Sequence, residues 1–178
     1  MTFSCYLSVI IISDGSCWDL TKNKLVKVYQ NWGDVFKIEF AITVTKLPRE
    51  TWTSVFHFSA DGNYVNYGDR IPGLWIYNTG NFVISSAVNG NSNYYKEFPF
   101  VLGKQYQMTI QQFKDSDGKY WYEIVIDGES KFKIENTQTK TFSNVKLYAG
   151  DPWYSPFSSD LGSFCDIKIR ASQGDVEG

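Results

Sequence analysis

The sequence has little of several residue types that mark particular classes of function. Its 178 residues include one histidine, three cysteines and five prolines, and charged residues make up only 20%. A single histidine excludes a His-rich metal site. The net charge of −2, without long runs of one sign, offers no electrostatic footprint for phosphate backbones or anionic lipid. We therefore expect no nucleic-acid partner.

Long hydrophobic runs and processing signals are also missing. The most apolar N-terminal run, CYLSVIII (residues 5–12), is too short to span a bilayer. It lacks the basic residues and the cleavage site of a signal peptide, so we predict a strand there and no membrane insertion. The sequence has no Asn-x-Ser/Thr acceptor, which removes one mark of secretion without arguing against it.

The three cysteines, Cys5, Cys17 and Cys165, allow three alternative single disulfide bridges, each of which leaves one thiol over. A bridge from Cys17 to Cys165 would tie the first part of the chain to the last, as a closed β-sandwich permits. Buried free thiols are equally compatible with the sequence. The residues alone leave the redox state open.

Aromatic residues are abundant, with 13 Phe, 12 Tyr and 6 Trp, and they favour pleated, half-buried surfaces over helices. The segment VFKIEFAITVT alternates strictly between apolar and mostly polar positions, which predicts a strand with one core face. QYQMTIQQF and YWYEIVIDG repeat the pattern on either side of KDSDGK, where Asp117-Gly118 predicts a hairpin turn. These segments indicate a β protein.

Further short strands bounded by Gly, Asn, Asp or Pro bring the total to about ten to twelve. We predict an all-β fold, a two-sheet antiparallel β-sandwich (jelly roll), as a single domain over residues 1–178. Only KLVKVYQNW offers a competing helical spacing. The longest irregular stretches, residues 59–73 and 89–100, are predicted loops, and loops at the ends of a sandwich usually carry binding function.

Aromatic side chains beside Asp, Asn and Gly suit a ligand site in these loops. Sugar rings stack on aromatic planes while their hydroxyls bond to amides and carboxylates, and protein interfaces use the same mixture. The predicted ligand-binding residues are Tyr64, Tyr67, Asp69, Tyr94, Tyr95, Trp153 and Tyr154.

The segment YAGDPWYSPF places two of these aromatics in a predicted turn. Trp153 either reads a ligand or folds beneath its loop, which a preceding Pro and a following Tyr would help to fix. We expect Trp153 to shape the loop and Tyr154 to make the external contact.

Three segments between Trp32 and Arg170 resemble the laminin G-like branch of the concanavalin A-like lectin/glucanase superfamily. They are YGDRIPGLWIYNTGNFVISSAVNG, KQYQMTIQQFKDSDGKYWYEIVIDGES and VKLYAGDPWYSPFSSDLGSFCDIKI. The resemblance implies a β-sandwich recognition domain. The chain departs from the family's usual disulfide pairing, because no cysteine lies between Cys17 and Cys165.

Catalytic carboxylates were sought because glycoside hydrolases of that superfamily carry an E-x-D-x-x-E strand motif, with carboxylates roughly 5 Å apart. The nearest match, Glu123, Asp127 and Glu129, has the wrong spacing, and Asp127-Gly128 reads as a tight turn. His57 has no nucleophile-elbow context and is expected to be structural. We predict no enzyme.

Calcium is the metal that the loops favour, because carboxylate and amide oxygens gather in ADGNYVNYGD. The candidate ligands are Asp61, Asn63 and Asp69. The resemblance implies one calcium at a sandwich rim, although Asx turns explain the same residues without a metal.

Together these features predict a non-enzymatic, secreted or extracellular recognition module that binds a glycan or an extracellular protein partner through rim loops. One alternative is a structural or self-assembly domain of a larger matrix or adhesion protein. A polysaccharide-active enzyme is the third and least favoured hypothesis.

Overall fold

A computed structural model describes residues 15–172 and the backbone of residues 8–12. The described part is all-β, and twelve of its strands have five or more residues. The strands are β1 (Ser8–Ile12), β2 (Leu25–Trp32), β3 (Phe36–Val44), β4 (Trp52–Ser59), β5 (Gly73–Tyr77), β6 (Asn81–Val88), β7 (Asn91–Pro99), β8 (Gln105–Lys114), β9 (Tyr120–Ile126), β10 (Glu129–Glu135), β11 (Phe142–Tyr148), the two-residue β12 (Ser155–Pro156) and β13 (Gly162–Ala171).

The strands form two sheets, which confirms the predicted sandwich. The back sheet has the order β1-β13-β3-β8-β9-β10, and the front sheet has the order β2-β11-β4-β5-β6-β7. All pairings between strands of five or more residues are antiparallel, and only β12 runs parallel to β4. The described part of the chain contains no helix with the length and hydrophobicity needed to span a bilayer.

The core lies between the sheets because each sheet directs one set of alternating side chains inward. Phe40 of β3 and Phe56 of β4 meet with ring centroids 5.5 Å apart, and Phe164 of β13 packs on both. All three rings are at most 2% exposed. The aromatic excess of the sequence therefore fills the space between the sheets.

The structure decides one ambiguous segment and corrects one prediction. KLVKVYQNW forms strand β2, not a helix, and its Tyr29 and Trp32 are buried. Residues 89–100, predicted as a loop, contain the nine-residue strand β7. β7 lies at the edge of the front sheet with both faces largely accessible, so no clean apolar alternation marks it.

The first described loop is joined to the last strand by a disulfide between Cys17 and Cys165. The two cysteines also form an isolated antiparallel bridge, and the Trp18 amide donates to the Phe164 carbonyl at 2.8 Å. Of the alternatives that the sequence left open, the structure therefore has the Cys17–Cys165 bridge. Cys5 lies outside the described residues.

Candidate functional site

A groove of about 490 Å³ lies on the outer face of the front sheet. Alternation along β5 and β6 turns Leu74, Ile76 and Phe82 into the core, so Trp75 and Val83 face outward. Loops 60–72 and 149–154 contribute Tyr64, Arg70 and Tyr154 to the wall of the groove. The lining side chains are Trp52, Tyr64, Arg70, Trp75, Tyr77, Val83, Asn93, Tyr95, Glu97 and Tyr154.

Two other cavities of similar size lack this combination of rings and unpaired charge. One of about 410 Å³, beside Lys46 and Arg49, has no aromatic ring in its wall. Another of about 550 Å³ has charged walls that are already paired, with Lys104 2.9 Å from Asp127 and Lys131 bound to Glu129. The groove on the front sheet is therefore the candidate site.

Arg70 is the central residue of the groove and is only 8% exposed. Its guanidinium carbon lies 4.1 Å from the centre of the Trp75 ring and 5.6 Å from that of Tyr64. Stacking of this kind is a favourable cation–π contact. Burial, the largest influence, lowers the pKa of Arg70 below its usual value, but a guanidinium remains protonated in proteins.

Amide groups fix the orientation of the Arg70 guanidinium. Nε donates to the Asn63 carbonyl at 2.9 Å, Nη2 to Asn63 Oδ1 at 3.1 Å and Nη1 to Asn93 Oδ1 at 2.7 Å. Ser85 Oγ donates to the same Asn93 oxygen at 2.7 Å, so the arginine is tied to β6 and β7. Among the residues that the structure describes, no carboxylate lies within 4.0 Å of this buried cation.

Asp69 organises the loop that delivers Arg70. Its Oδ1 accepts from the Gly62 amide at 2.9 Å and its Oδ2 from the Asn66 amide at 2.8 Å, and the residue is 2% exposed. A β-carbon at position 62 would lie 2.8 Å from Asp69 Oδ2, so glycine permits the close approach. The carboxylate thus closes the turn from the inside.

Asp151 plays the same part in the second rim loop. It is fully buried, and its Oδ1 accepts from the amides of Trp153 at 3.0 Å and Tyr154 at 2.9 Å. Its Oδ2 accepts from Trp75 Nε1 at 3.0 Å and faces His57 Nδ1 at 3.2 Å. One carboxylate therefore joins the rim aromatics to the floor of the groove.

His57, the residue expected to be structural, is buried beneath this loop. Its Nε2 lies 2.6 Å from the Asp69 carbonyl oxygen, and its Nδ1 faces the Asp151 carboxylate. His57 therefore bridges the two rim loops from beneath.

The structure brings together three of the predicted ligand-binding residues. Tyr64, Tyr95 and Tyr154 line the groove, and Tyr64 and Tyr95 are about half exposed. Trp153 stands outside the groove wall at 37% exposure, with its ring centroid 5.3 Å from that of His57. Asp69 lies beneath the loop.

The other two predicted residues lie elsewhere. The Tyr67 hydroxyl donates to the Gln138 carbonyl at 2.6 Å, and its ring packs near Phe142. Tyr94 packs near Phe132 of β10, where the two sheets meet. Neither side chain lines the groove.

The prediction from the sequence did not include several residues that line the groove. They are Arg70 and the strand residues Trp52, Trp75, Tyr77, Asn93 and Glu97. The segment LWIY (residues 74–77) did indicate outward-facing aromatic side chains, because the residues on both faces of this strand are apolar or aromatic. In a sheet that covers the core with one face only, such a strand has an aromatic surplus on its outer face.

Two of the three predicted calcium ligands already have hydrogen-bond partners within the protein. Asp69 accepts two amides, and Asn63 Oδ1 accepts from Arg70. Asp61 is exposed. No group of three or more His, Cys, Asp or Glu side chains gathers within the described residues. Calcium would have to displace existing donors, and its binding stays a prediction.

No protein-family model and no curated sequence matches the chain. Solved structures do match in fold. The CBM40 domain of the Ruminococcus gnavus IT-sialidase, bound to α2,3 sialyllactose, superimposes with a TM-score of 0.62 at 12% identity, covering 93% of this chain and 94% of that one. The same domain bound to α2,6 sialyllactose gives a TM-score of 0.59 at 13% identity, with 96% of each chain covered.

The leech intramolecular trans-sialidase, in complex with 2,7-anhydro-Neu5Ac, gives a TM-score of 0.56 at 14% identity. The match covers 97% of this chain and 27% of that one, so this chain corresponds to one part of the larger enzyme. At these identities the comparisons establish a lectin-like jelly-roll fold. The narrower laminin G-like assignment stays a prediction.

Proposed function

We propose that this chain is a non-enzymatic glycan-binding module whose groove takes an acidic sugar. The observation that carries the proposal is Arg70, a guanidinium that is 8% exposed and has no carboxylate within 4.0 Å among the described residues. Buried charges are normally paired, because leaving water without a counter-charge is costly. A carboxylate on the ligand would supply that partner through charge-assisted hydrogen bonds.

The surroundings of Arg70 support a sugar as the carrier of that carboxylate. Tyr64, Tyr95 and Tyr154 present rings and hydroxyls in the same groove as the cation, and pyranose rings use both kinds of contact. Two structures of similar fold hold bound sialyllactose, a glycan with an acidic sugar, and this supports the ligand class.

The positions and partners of Glu123 and Asp127 support the non-enzymatic part of the proposal. Glu123 accepts from Gln111 Nε2 at 2.7 Å and from Ser130 Oγ at 2.6 Å. Asp127 forms the β9–β10 turn with φ 52°, and it pairs with Lys104. Both belong to the back sheet, away from the groove.

A secreted or extracellular location is part of the same proposal, and the Cys17–Cys165 disulfide supports it because such bridges persist in oxidising compartments. Membership of the laminin G-like branch is also proposed, supported by the three sequence segments quoted above.

Calorimetric titration with 3′-sialyllactose and with lactose tests the proposal. The two ligands differ by the acidic sugar, so we expect binding of the first and none of the second. Arg70→Gln should weaken binding of 3′-sialyllactose at least about tenfold, because a charge-assisted hydrogen bond contributes about 1.5–3 kcal/mol.

Arg170→Gln is the matched control. It removes the same charge from β13, where Arg170 pairs with Glu39 at 2.7 Å on the back sheet. Affinity should stay unchanged in that variant. Equal binding of lactose and sialyllactose, or full affinity in a folded Arg70→Gln protein, would contradict an acidic-sugar site.

A further inference from the structure

The antiparallel register arranges the floor of the groove in rows that cross the front sheet. Trp52 of β4 lies opposite Tyr77 of β5. The next row joins Trp75, Val83 and Glu97, and the row after that joins Gly73, Ser85 and Tyr95. Successive rows are two residues apart, which is about 7 Å along the strands. Side chains of different rows therefore define different positions along the groove.

The charged part of the groove lies over the second and third rows. A β-carbon at position 73 would lie 2.2 Å from Trp75 Cη2, so the indole extends over Gly73, away from Tyr77. Arg70 stacks on that indole and is held by Asn93, which also accepts from Ser85 of the third row. The cation is thus displaced from the first row.

The first row has a different chemistry. Trp52 and Tyr77 form a cross-strand aromatic pair with ring centroids 4.7 Å apart and planes 32° apart. Both side chains line the groove and are partly exposed. The charged residue nearest in register is Glu97 of the second row, an exposed carboxylate with no hydrogen bond or ion pair to another described residue.

We propose that the groove holds two linked sugar rings, an acidic ring at Arg70 and a neutral hexose stacked on the Trp52–Tyr77 pair. Apolar ring faces bind the C–H face of a pyranose, and Glu97 in the adjacent row can accept hydrogen bonds from its hydroxyls. The groove volume of about 490 Å³ suits a ligand larger than one sugar ring. This inference rests on the proposed function and adds a second subsite to it.

A ligand series in the unmodified protein provides the first test. The methyl α-glycoside of N-acetylneuraminic acid fills only the acidic position, whereas 3′-sialyllactose adds galactose and glucose. We expect the trisaccharide to bind about fivefold more tightly, the ratio that an aromatic contact of ordinary strength gives.

Trp52→Ala is the second test. It should lower the affinity for 3′-sialyllactose to that of the methyl glycoside and leave the methyl glycoside affinity unchanged. Trp52→Phe keeps a ring and should restore most of the gain. Trp121→Ala, which removes a partly buried indole from the outer face of the back sheet, is the matched control and should change neither affinity.

The outcomes separate the inference from the proposed function. Equal affinities for the methyl glycoside and the trisaccharide overturn the second subsite while the acidic-sugar site stands. A trisaccharide gain that persists in folded Trp52→Ala also overturns it, since the extra contact then lies elsewhere. Absence of binding to both ligands overturns the proposed function and the inference together. Thermal melting of each variant shows that the binding measurements refer to folded protein.

Discussion

At the scale of single residues, Asp151 connects the floor of the groove to its rim. It accepts hydrogen bonds from two rim amides and from the Trp75 indole, and it faces the His57 imidazole. Burial raises the pKa of Asp151. The hydrogen bond and charge of His57, the Tyr154 amide and the Trp75 indole together lower it by more, so the pKa of Asp151 lies below its usual value. The folded protein therefore favours the ionised carboxylate.

Asp151→Asn should lower the free energy of unfolding at pH 7 by about 3 kcal/mol, because an amide nitrogen in place of Oδ2 cannot accept from the buried Trp75 Nε1 and the remaining hydrogen bonds lose their charged acceptor. A carboxyl whose pKa falls on folding stabilises the protein above its unfolded pKa of about 4 and loses that contribution as the pH falls. The difference between wild type and variant should therefore shrink in acid. Urea unfolding at pH 7, 5 and 3 measures it.

Asp61→Asn is the control for that series, since Asp61 is exposed. Substitutions at such surface positions usually change stability by less than about 0.5 kcal/mol. A stability difference for Asp151→Asn that stays constant from pH 7 to pH 3 would contradict an ionised, buried Asp151.

The residue scale also limits what a sequence can predict about the site. Asp151, Trp153 and Tyr154 are adjacent in the chain, so their turn chemistry could be read directly. The sequence did not predict Arg70 as a binding residue. Its role depends on Trp75, Asn63 and Asn93, which come together only through sheet pairing and loop closure. Residues distant in sequence give no local pattern for such a cluster.

At the scale of elements, alternation predicted β3, β8 and β9 closely, because each has one face in the core. It failed for β7, an edge strand whose two faces are both partly accessible. Prediction of the site was incomplete for a related reason. The predicted loops supply one rim of the groove, whereas strand faces supply its floor.

The loop from residue 60 to residue 72 depends on Asp69. Asp69→Asn should lower the free energy of unfolding by about 2 kcal/mol, because one of two hydrogen bonds to a charged group loses its acceptor. Arg70 follows directly in the chain, so glycan affinity should fall as well. Urea unfolding and titration with 3′-sialyllactose measure the two effects.

The same variant tests the predicted calcium site. If the role of Asp69 is confined to its hydrogen bonds with Gly62 and Asn66, the loss of stability is equal in calcium and in EDTA. Stabilisation of the wild type by calcium that Asp69→Asn abolishes would instead establish a metal site at these residues.

At the scale of the whole molecule, the disulfide joins positions 148 residues apart. Bridging so long a segment removes much of the conformational freedom of the unfolded chain. Loop-closure entropy grows only slowly with loop length, so the stabilisation from this disulfide should be similar to that from disulfides that close other long loops. Sequence reasoning left this bridge as one of several alternatives because pairing of three cysteines depends on the closed sandwich.

The double variant Cys17→Ala/Cys165→Ala should be less stable than the wild type by about 5 kcal/mol in the chain-entropy account. Urea unfolding under oxidising conditions measures the difference, and adding a reductant to the wild type should remove most of it. Equal stability of the oxidised wild type and the double variant would show that the bridge contributes nothing to folding.

The Cys17–Cys165 bond also closes the polypeptide between those positions into a covalent ring. A single proteolytic cut in any surface loop of the ring opens the circle without releasing a piece. The two pieces of a nicked molecule would stay covalently joined until the disulfide is reduced.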